Sequence, residues 1–168
     1  MTEATDFNVA RWLESQQETV LNAWMSEVVS QWKKHYPQVV DTEHLHLQSR
    51  QLLEEIRKLF AENPTESWEP ALDSRMAVLV HSISTQRAKQ GFKPADSTFY
   101  LLSLKRVLLR RLLQDLIAEN PAVLITALTL IENVTDRLTL LIHEAYVETR
   151  ERLIAQQSLS LLELSTPV

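Results

Sequence analysis

The stretch KQGFKPAD, residues 89–96, contains the only glycine among the 168 residues of this chain. Gly91 suits the left-handed position that follows the end of a helix, and Pro94 suits the first turn of the next helix. A chain with one glycine cannot form the glycine-rich loops that hold phosphate groups or dinucleotides. It also lacks residues for tight hairpins, and it has no long run of alternating apolar and polar residues. We therefore predict an all-α protein.

Outward from this turn, similar end signals and an apolar period of 3.6 residues predict five helices. The fourth helix is apolar around well over half of its circumference, so we expect it to be buried on two sides. The predicted bounds are Asp6, as an N-cap, to about His35; Asp41 or Thr42 to residues 61–64; Pro70 to Gly91; Pro94 to residues 118–121; and Pro121 to Pro167.

The fifth helix is too long for a domain of this size. No helix breaker separates Pro121 from Pro167, which gives a helix of more than about 60 Å at 1.5 Å per residue. Its second half narrows to an apolar seam at 4-3-4 spacing from Ile142 to Leu153, which is typical of a short coiled coil. A helix that leaves its own core must find another surface, in a second copy or in a following domain. The residues that we predict to lack intramolecular partners and to pair in a homodimer are Val134, Leu138, Leu141, Ile142, Tyr146 and Leu153.

Composition limits the possible partners. The net charge of −5 and a pI near 5.5 give no basic face for nucleic acid. The chain has no cysteine, which excludes disulfides, thiolate metal sites and a cysteine nucleophile. The acidic start MTEATDF is unlike a secretory signal, and no apolar run approaches the ~20 residues that span a bilayer. We expect no membrane association and a reducing, cytoplasmic location.

Three segments carry a resemblance to a known family. They are Trp24 in the first helix, QRAKQGFKPAD at residues 86–96 and YVETRERLIAQQSLSLLELSTPV at residues 146–168. Together they resemble the N-terminal sensory domain of RsbR-type stressosome proteins, most strongly over residues 75–115 and 130–168. The ending at Glu163–Val168 is similar to the junction where a linker helix of that family passes into a C-terminal STAS domain.

The resemblance implies a domain organisation and a function. It implies a globin-like sensory domain at residues 1–138, a linker helix at 139–163 and the start of a truncated STAS domain at 164–168. In that family, STAS domains assemble with RsbS-like scaffold proteins and hold an RsbT-like kinase until stress releases it. The chain would then be a dimeric, non-enzymatic sensor module. The phosphoacceptor threonines of the family lie inside the STAS domain, so Thr166, which precedes them, is not given that role.

The alternative implied by the same fold is a haem-binding gas sensor. In haem-binding sensor globins a histidine stands four residues before a Gly-apolar-x-Pro segment similar to residues 91–94, and here that place is held by Arg87. A protonated guanidinium cannot ligate iron. Arg87 either holds an anion or an internal carboxylate, or it caps the last carbonyls of the third helix. His46, at the edge of the apolar arc of the second helix, is the remaining candidate haem contact.

Neither metal chemistry nor catalysis finds support in the sequence. His44 and His46 point about 160° apart on a helix, so they cannot chelate one metal ion. The carboxylates follow solvated helical patterns such as Glu54 with Lys58, and no Ser, His and Asp set suggests a triad. We therefore predict no cofactor, no metal site and no enzymatic activity.

Overall fold

The computed structural model describes residues 7–38, 40–118 and 120–167. This part of the chain forms five helices and no strand, so the all-α prediction and the long C-terminal helix are confirmed. The helices are α1 (Val9–His35), α2 (Thr42–Ala61), α3 (Arg75–Lys89), α4 (Pro94–Leu116) and α5 (Pro121–Ser165).

Side-chain caps fix the starts of the first two helices. The Asn8 carboxamide oxygen accepts a hydrogen bond of 3.2 Å from the backbone N–H of Arg11, so α1 begins at Val9. The predicted cap Asp6 lies outside the described residues. The Asp41 carboxylate accepts a hydrogen bond of 3.1 Å from the N–H of His44, as predicted for α2.

The start of α3 differs from the prediction. Pro70 and Leu72 were expected in its first turn, but both precede the helix, and Leu72 is 86% exposed. The cap is Ser74, whose hydroxyl oxygen accepts the N–H of Ala77 at 3.2 Å. Proline is tolerated in the first turn of a helix, but its side chain cannot accept a hydrogen bond from an unpaired backbone N–H, as a serine hydroxyl does. The cap therefore places the start of α3 five residues after Pro70.

The helices pack around one apolar core. α5 lies against both α3 and α4, while α1 packs on α2 and α4. The burial of α4 on two sides is thus confirmed, because α1 and α5 cover it from different directions. The largest fully buried side chains are Trp24, Trp32, Tyr100 and Phe92. The globin-like arrangement of these helices stays a prediction.

The inner face of α5 is covered by its own chain. Val134, Leu138 and Ile142 are fully buried and Tyr146 is nearly so, which makes the expectation that these four residues lack intramolecular partners wrong. The reason is that α3 packs along α5 beyond residue 138, and the sequence period cannot show what covers a stripe. Leu141 and Leu153 are half-buried.

Packed residues continue along α5 past the predicted domain boundary at residue 138. The last buried residue is Thr149, and beyond it every described residue except the half-buried Leu153 is exposed. The 45 residues of α5 span about 67 Å at 1.5 Å per residue, and roughly its last four turns leave the core. The linker at 139–163 stays a prediction.

Candidate functional site

The turn between α3 and α4 is built by Gly91 in the left-handed conformation, with φ of 82°. Its N–H donates to the carbonyl of Ala88 at 3.1 Å, and the N–H of Phe92 donates to the carbonyl of Arg87 at 3.0 Å. This pair of bonds is the Schellman arrangement that closes a helix end. The Phe92 carbonyl in turn accepts a hydrogen bond from the Tyr146 hydroxyl of α5. Residues 87–92 are therefore held firmly by backbone bonds.

Five aromatic rings gather beside this turn and form what we call the aromatic cluster. The Phe92 ring stacks on Tyr36 with centroids 3.8 Å apart and meets Trp32 edge-on at 5.2 Å. Tyr100 connects Trp32 to Trp24, with centroid distances of 5.9 and 4.6 Å. Offset and edge-on pairs at these distances are the favourable geometries for aromatic rings. The cluster thus ties the start of α4 to the middle and end of α1.

The polar atoms of the cluster are paired. The indole N–H of Trp24 donates to the Tyr100 carbonyl at 2.7 Å, and that of Trp32 donates to the Asp96 carbonyl at 2.8 Å. Ser49 donates to the Leu45 carbonyl at 2.7 Å, so the Tyr100 hydroxyl, also 2.7 Å from Ser49, is the donor in that pair. Burial raises the pKa of Tyr100 well above its usual range, so its hydroxyl stays neutral.

Arg87 is the exception in this region. The side chain is only 3% exposed, and its guanidinium carbon lies 5.1 Å from the ring centroid of Trp32 and 5.5 Å from that of Phe92. One amino group, Nη2, donates to the Gln86 side-chain oxygen at 3.4 Å. The Nε and Nη1 atoms have no hydrogen-bond partner among the described residues. A buried, charged group therefore keeps unused donors.

Two of the predicted roles of Arg87 do not fit these contacts. It forms no ion pair with a carboxylate of the described residues, so an internal carboxylate is not its partner there. Nor does its guanidinium cap the end of α3, where backbone bonds from Gly91 and Phe92 serve that purpose. Burial lowers the pKa of Arg87, while the nearby Tyr100 phenol and Asp41 carboxylate oppose that shift electrostatically. The anion role stays a prediction.

The haem alternative does not fit the residues at this place. A porphyrin ring needs a long flat slot between helices, but Trp32, Phe92 and Tyr100 are buried here and contact one another, which leaves no slot of that size between them. Arg87 stands where the resemblance places the ligating histidine. His46 is half-buried on α2. Within residues 7–38, 40–118 and 120–167, no three His, Cys, Asp or Glu side chains are grouped to hold a metal ion.

A groove of about 550 Å³ runs along the outer side of α3, and we call it the α3 groove. Leu72, Val78 and Leu141 give it an apolar lining, and Gln86 and Lys89 lie at its polar part. Gln86 is the residue whose side chain touches the Arg87 guanidinium. Gln86 therefore contacts both the groove and the guanidinium of Arg87, which itself lies on the buried side of α3.

The exposed side of α5 carries a second feature that the sequence analysis missed. Four large apolar residues recur at intervals of seven, and we call them the outer stripe. Their exposed fractions are 55% for Leu140, 38% for Val147, 55% for Ile154 and 67% for Leu161. The seven-residue interval was visible in the sequence, but the stronger inner stripe of the same helix masked it.

Comparisons with known proteins agree with the resemblance seen in the sequence. No match was found among curated proteins or among solved structures. Of the helices that the structure describes, none is both long and apolar enough to cross a membrane. The family model described as the RsbT co-antagonist protein rsbRD N-terminal domain matches residues 18–161. Since this match covers most of the sequence, the chain belongs to the family of RsbT co-antagonist protein rsbRD N-terminal domains.

Proposed function

We propose that this chain is the non-enzymatic sensory module of a cytoplasmic stressosome protein and that it works as a homodimer. Its C-terminal helix α5 carries a conformational signal to a STAS domain. That domain, together with RsbS-like scaffold proteins, controls the release of an RsbT-like kinase. The family supports a regulatory role in stressosomes, and the rest of the proposal depends on α5.

The observation that carries the proposal is that α5 has an apolar stripe on each of two opposite sides, one buried and one exposed. Its inner face, with Val134, Leu138 and Ile142, is part of the core. Its other side exposes the outer stripe, from Leu140 to Leu161, to solvent. Because one rigid helix carries both faces, a change in how α3 or α4 packs on the inner face must move the outer stripe.

The outer stripe suits a second copy of the same helix. Residues spaced by seven lie along one side of a helix that supercoils with a partner. A two-fold dimer is the commonest closed arrangement of subunits. In a parallel two-fold pair each residue of the stripe faces its own copy. Full burial of a large apolar side chain is worth about 1.5–3 kcal/mol. Four residues per subunit are therefore enough to favour pairing.

The test compares two single substitutions on the exposed end of α5. Ile154→Glu places a charge in the outer stripe, whereas Leu159→Glu places one at a similarly exposed position on the opposite side of the helix. Neither residue contributes to the buried core, so both variants should stay folded. Sedimentation equilibrium should show a dimeric wild type, a dimeric Leu159→Glu variant and a weakened or monomeric Ile154→Glu variant.

A monomeric wild type at high concentration would contradict the proposed dimer. Equal dissociation of both variants would show that general charge, and not the outer stripe, governs association. Circular dichroism should give the same helix content for all three proteins, since both positions are exposed on a continuous helix.

A further inference from the structure

We propose that the Arg87 guanidinium is the receptor for a small carboxylate ligand that enters from the α3 groove. The observation is a cation with 3% exposure whose Nε and Nη1 atoms have no partner in the described part of the chain. Buried charges in proteins are normally paired, because removing a lone ion from water is very unfavourable. The unused N–H groups therefore define a site for an anion.

The surroundings favour a carboxylate over a phosphate. A guanidinium forms strong charge-assisted hydrogen bonds with either group. The site supplies one positive charge, that of Arg87 between the rings of Trp32 and Phe92, and the Asp41 carboxylate already acts on it. A carboxylate adds one negative charge, whereas a phosphate adds almost two and would leave more negative charge uncompensated beside Asp41. The rings also favour a ligand whose remaining atoms are apolar or aromatic.

Gln86 gives a route to the site. Its side-chain oxygen accepts the Nη2 hydrogen bond at 3.4 Å, which is long for such a bond. Gln86 also lines the α3 groove next to Lys89, whose charge attracts anions to the entrance. A turn of the Gln86 side chain toward solvent would free Nη2 and open the guanidinium to the groove.

The ligand would act on the signalling helix through α3. Arg87 lies three residues after Ser84 and two after Thr85, and both contact α5, at Ile142 and Thr149 respectively. This part of the inference rests on the proposed function, in which α5 transmits the signal. Ligand binding does not depend on the proposed function. Binding is therefore measured at Arg87, and the role of α5 is tested separately by sedimentation.

The test is a nuclear magnetic resonance titration of the full chain with sodium acetate, sodium benzoate and inorganic phosphate at constant ionic strength. The Arg87 Nε–H peak is identified by its loss in Arg87→Lys. We expect acetate or benzoate to shift this peak to saturation, while the peak of the exposed Arg152 drifts linearly. In Arg87→Lys, the indole N–H peak of Trp32 should report binding at least tenfold weaker.

Two further variants test where the ligand binds. Gln86→Ala removes the competing acceptor and is expected to tighten carboxylate binding about threefold. Arg152→Met, on the exposed part of α5, should leave binding unchanged. The proposal is overturned if neither carboxylate shifts the Arg87 peak, or if the shift is linear and equal to that of Arg152, which is the behaviour of an adventitious ion only. Tighter binding of phosphate than of acetate would overturn the choice of a carboxylate.

Discussion

The Ser84 hydroxyl donates a hydrogen bond of 2.7 Å to the backbone carbonyl of Ile142, and both residues are fully buried. The small serine side chain lets α3 approach α5 closely. Two turns further along α5, Thr85 and Thr149 meet with their hydroxyl oxygens 3.2 Å apart. These two contacts join the helix that holds Arg87 to the helix that leaves the core.

The first prediction concerns this contact. Ser84→Ala should lower the free energy of unfolding by about 0.5–1.5 kcal/mol, because the Ile142 carbonyl keeps its bond within α5 and loses only the second one. Ser84→Leu should cost about 1–3 kcal/mol, since it forces extra volume between two packed helices. Urea denaturation measures both. The control Ser82→Ala, on the half-buried outer side of α3, should change stability by less than about 0.5 kcal/mol.

The second prediction concerns Gly91. A Cβ atom at this position would meet no atom within 4 Å, so any cost of Gly91→Ala comes from the backbone at φ of 82°. We expect a loss of about 1–2 kcal/mol in the free energy of unfolding. Gly91→Asn should cost less, because asparagine tolerates the left-handed region better. Equal losses for the two variants would show that side-chain crowding, and not backbone conformation, sets the cost.

The third prediction concerns the charge on Arg87 in the absence of ligand. Arg87→Met keeps much of the length of the side chain and removes an unpaired buried cation, so we expect the free energy of unfolding to rise by about 1 kcal/mol or more. The matched control Arg152→Met removes a solvated cation and should change it by less than about 0.5 kcal/mol. If Arg87→Met is instead strongly destabilised, its N–H groups are already satisfied in the ligand-free protein.

The fourth prediction is a pH dependence. Burial raises the pKa of Tyr100 above its ordinary value of 10.0, so the unfolded chain loses this proton at a lower pH than the folded protein does. Stability from this group is complete below about pH 10 and declines as the pH rises further, by at most about 1.4 kcal/mol per pH unit. Urea midpoints measured from pH 8 to higher values should fall less steeply for Tyr100→Phe than for the wild type. Parallel profiles would contradict the raised pKa.

Local signals in the sequence located most helix ends correctly, because caps and breakers act within one or two turns. Asp41, Gly91, Pro94 and Pro121 all lie where their conformational preferences place them. The start of α3 was missed for the same reason: Pro70 fits a first turn locally, and the sequence does not show that Ser74 forms the cap. The resemblance to the family needed only these local patterns and the long helix.

The candidate site was predicted less well, because contacts between distant segments have no local signature. Arg87 was identified, but nothing in its own helix shows that Trp32 would lie against it from 55 positions away. On α5 the period revealed an apolar stripe through Leu138 and Ile142, but a period does not say whether the same chain or a second one covers it. That depends on α3, whose path is set by its turn into α4.

The last prediction tests the direction and register of the paired α5 helices. The chain has no cysteine, so a single introduced thiol can form a disulfide only with its copy in another chain. In a parallel, in-register pair the outer stripe meets itself, so Val147→Cys and Leu161→Cys, made separately, should each form an intermolecular disulfide under mild oxidation. A disulfide requires Cα atoms about 4.4–6.8 Å apart, which excludes the control Leu159→Cys on the opposite side of the helix.

An antiparallel pair would bring Val147 near Ile154 or Leu161 of the other copy, and then neither single variant would cross-link. Non-reducing electrophoresis of the three variants measures the cross-linking. The parallel arrangement is ruled out if Leu159→Cys cross-links, or if neither Val147→Cys nor Leu161→Cys does.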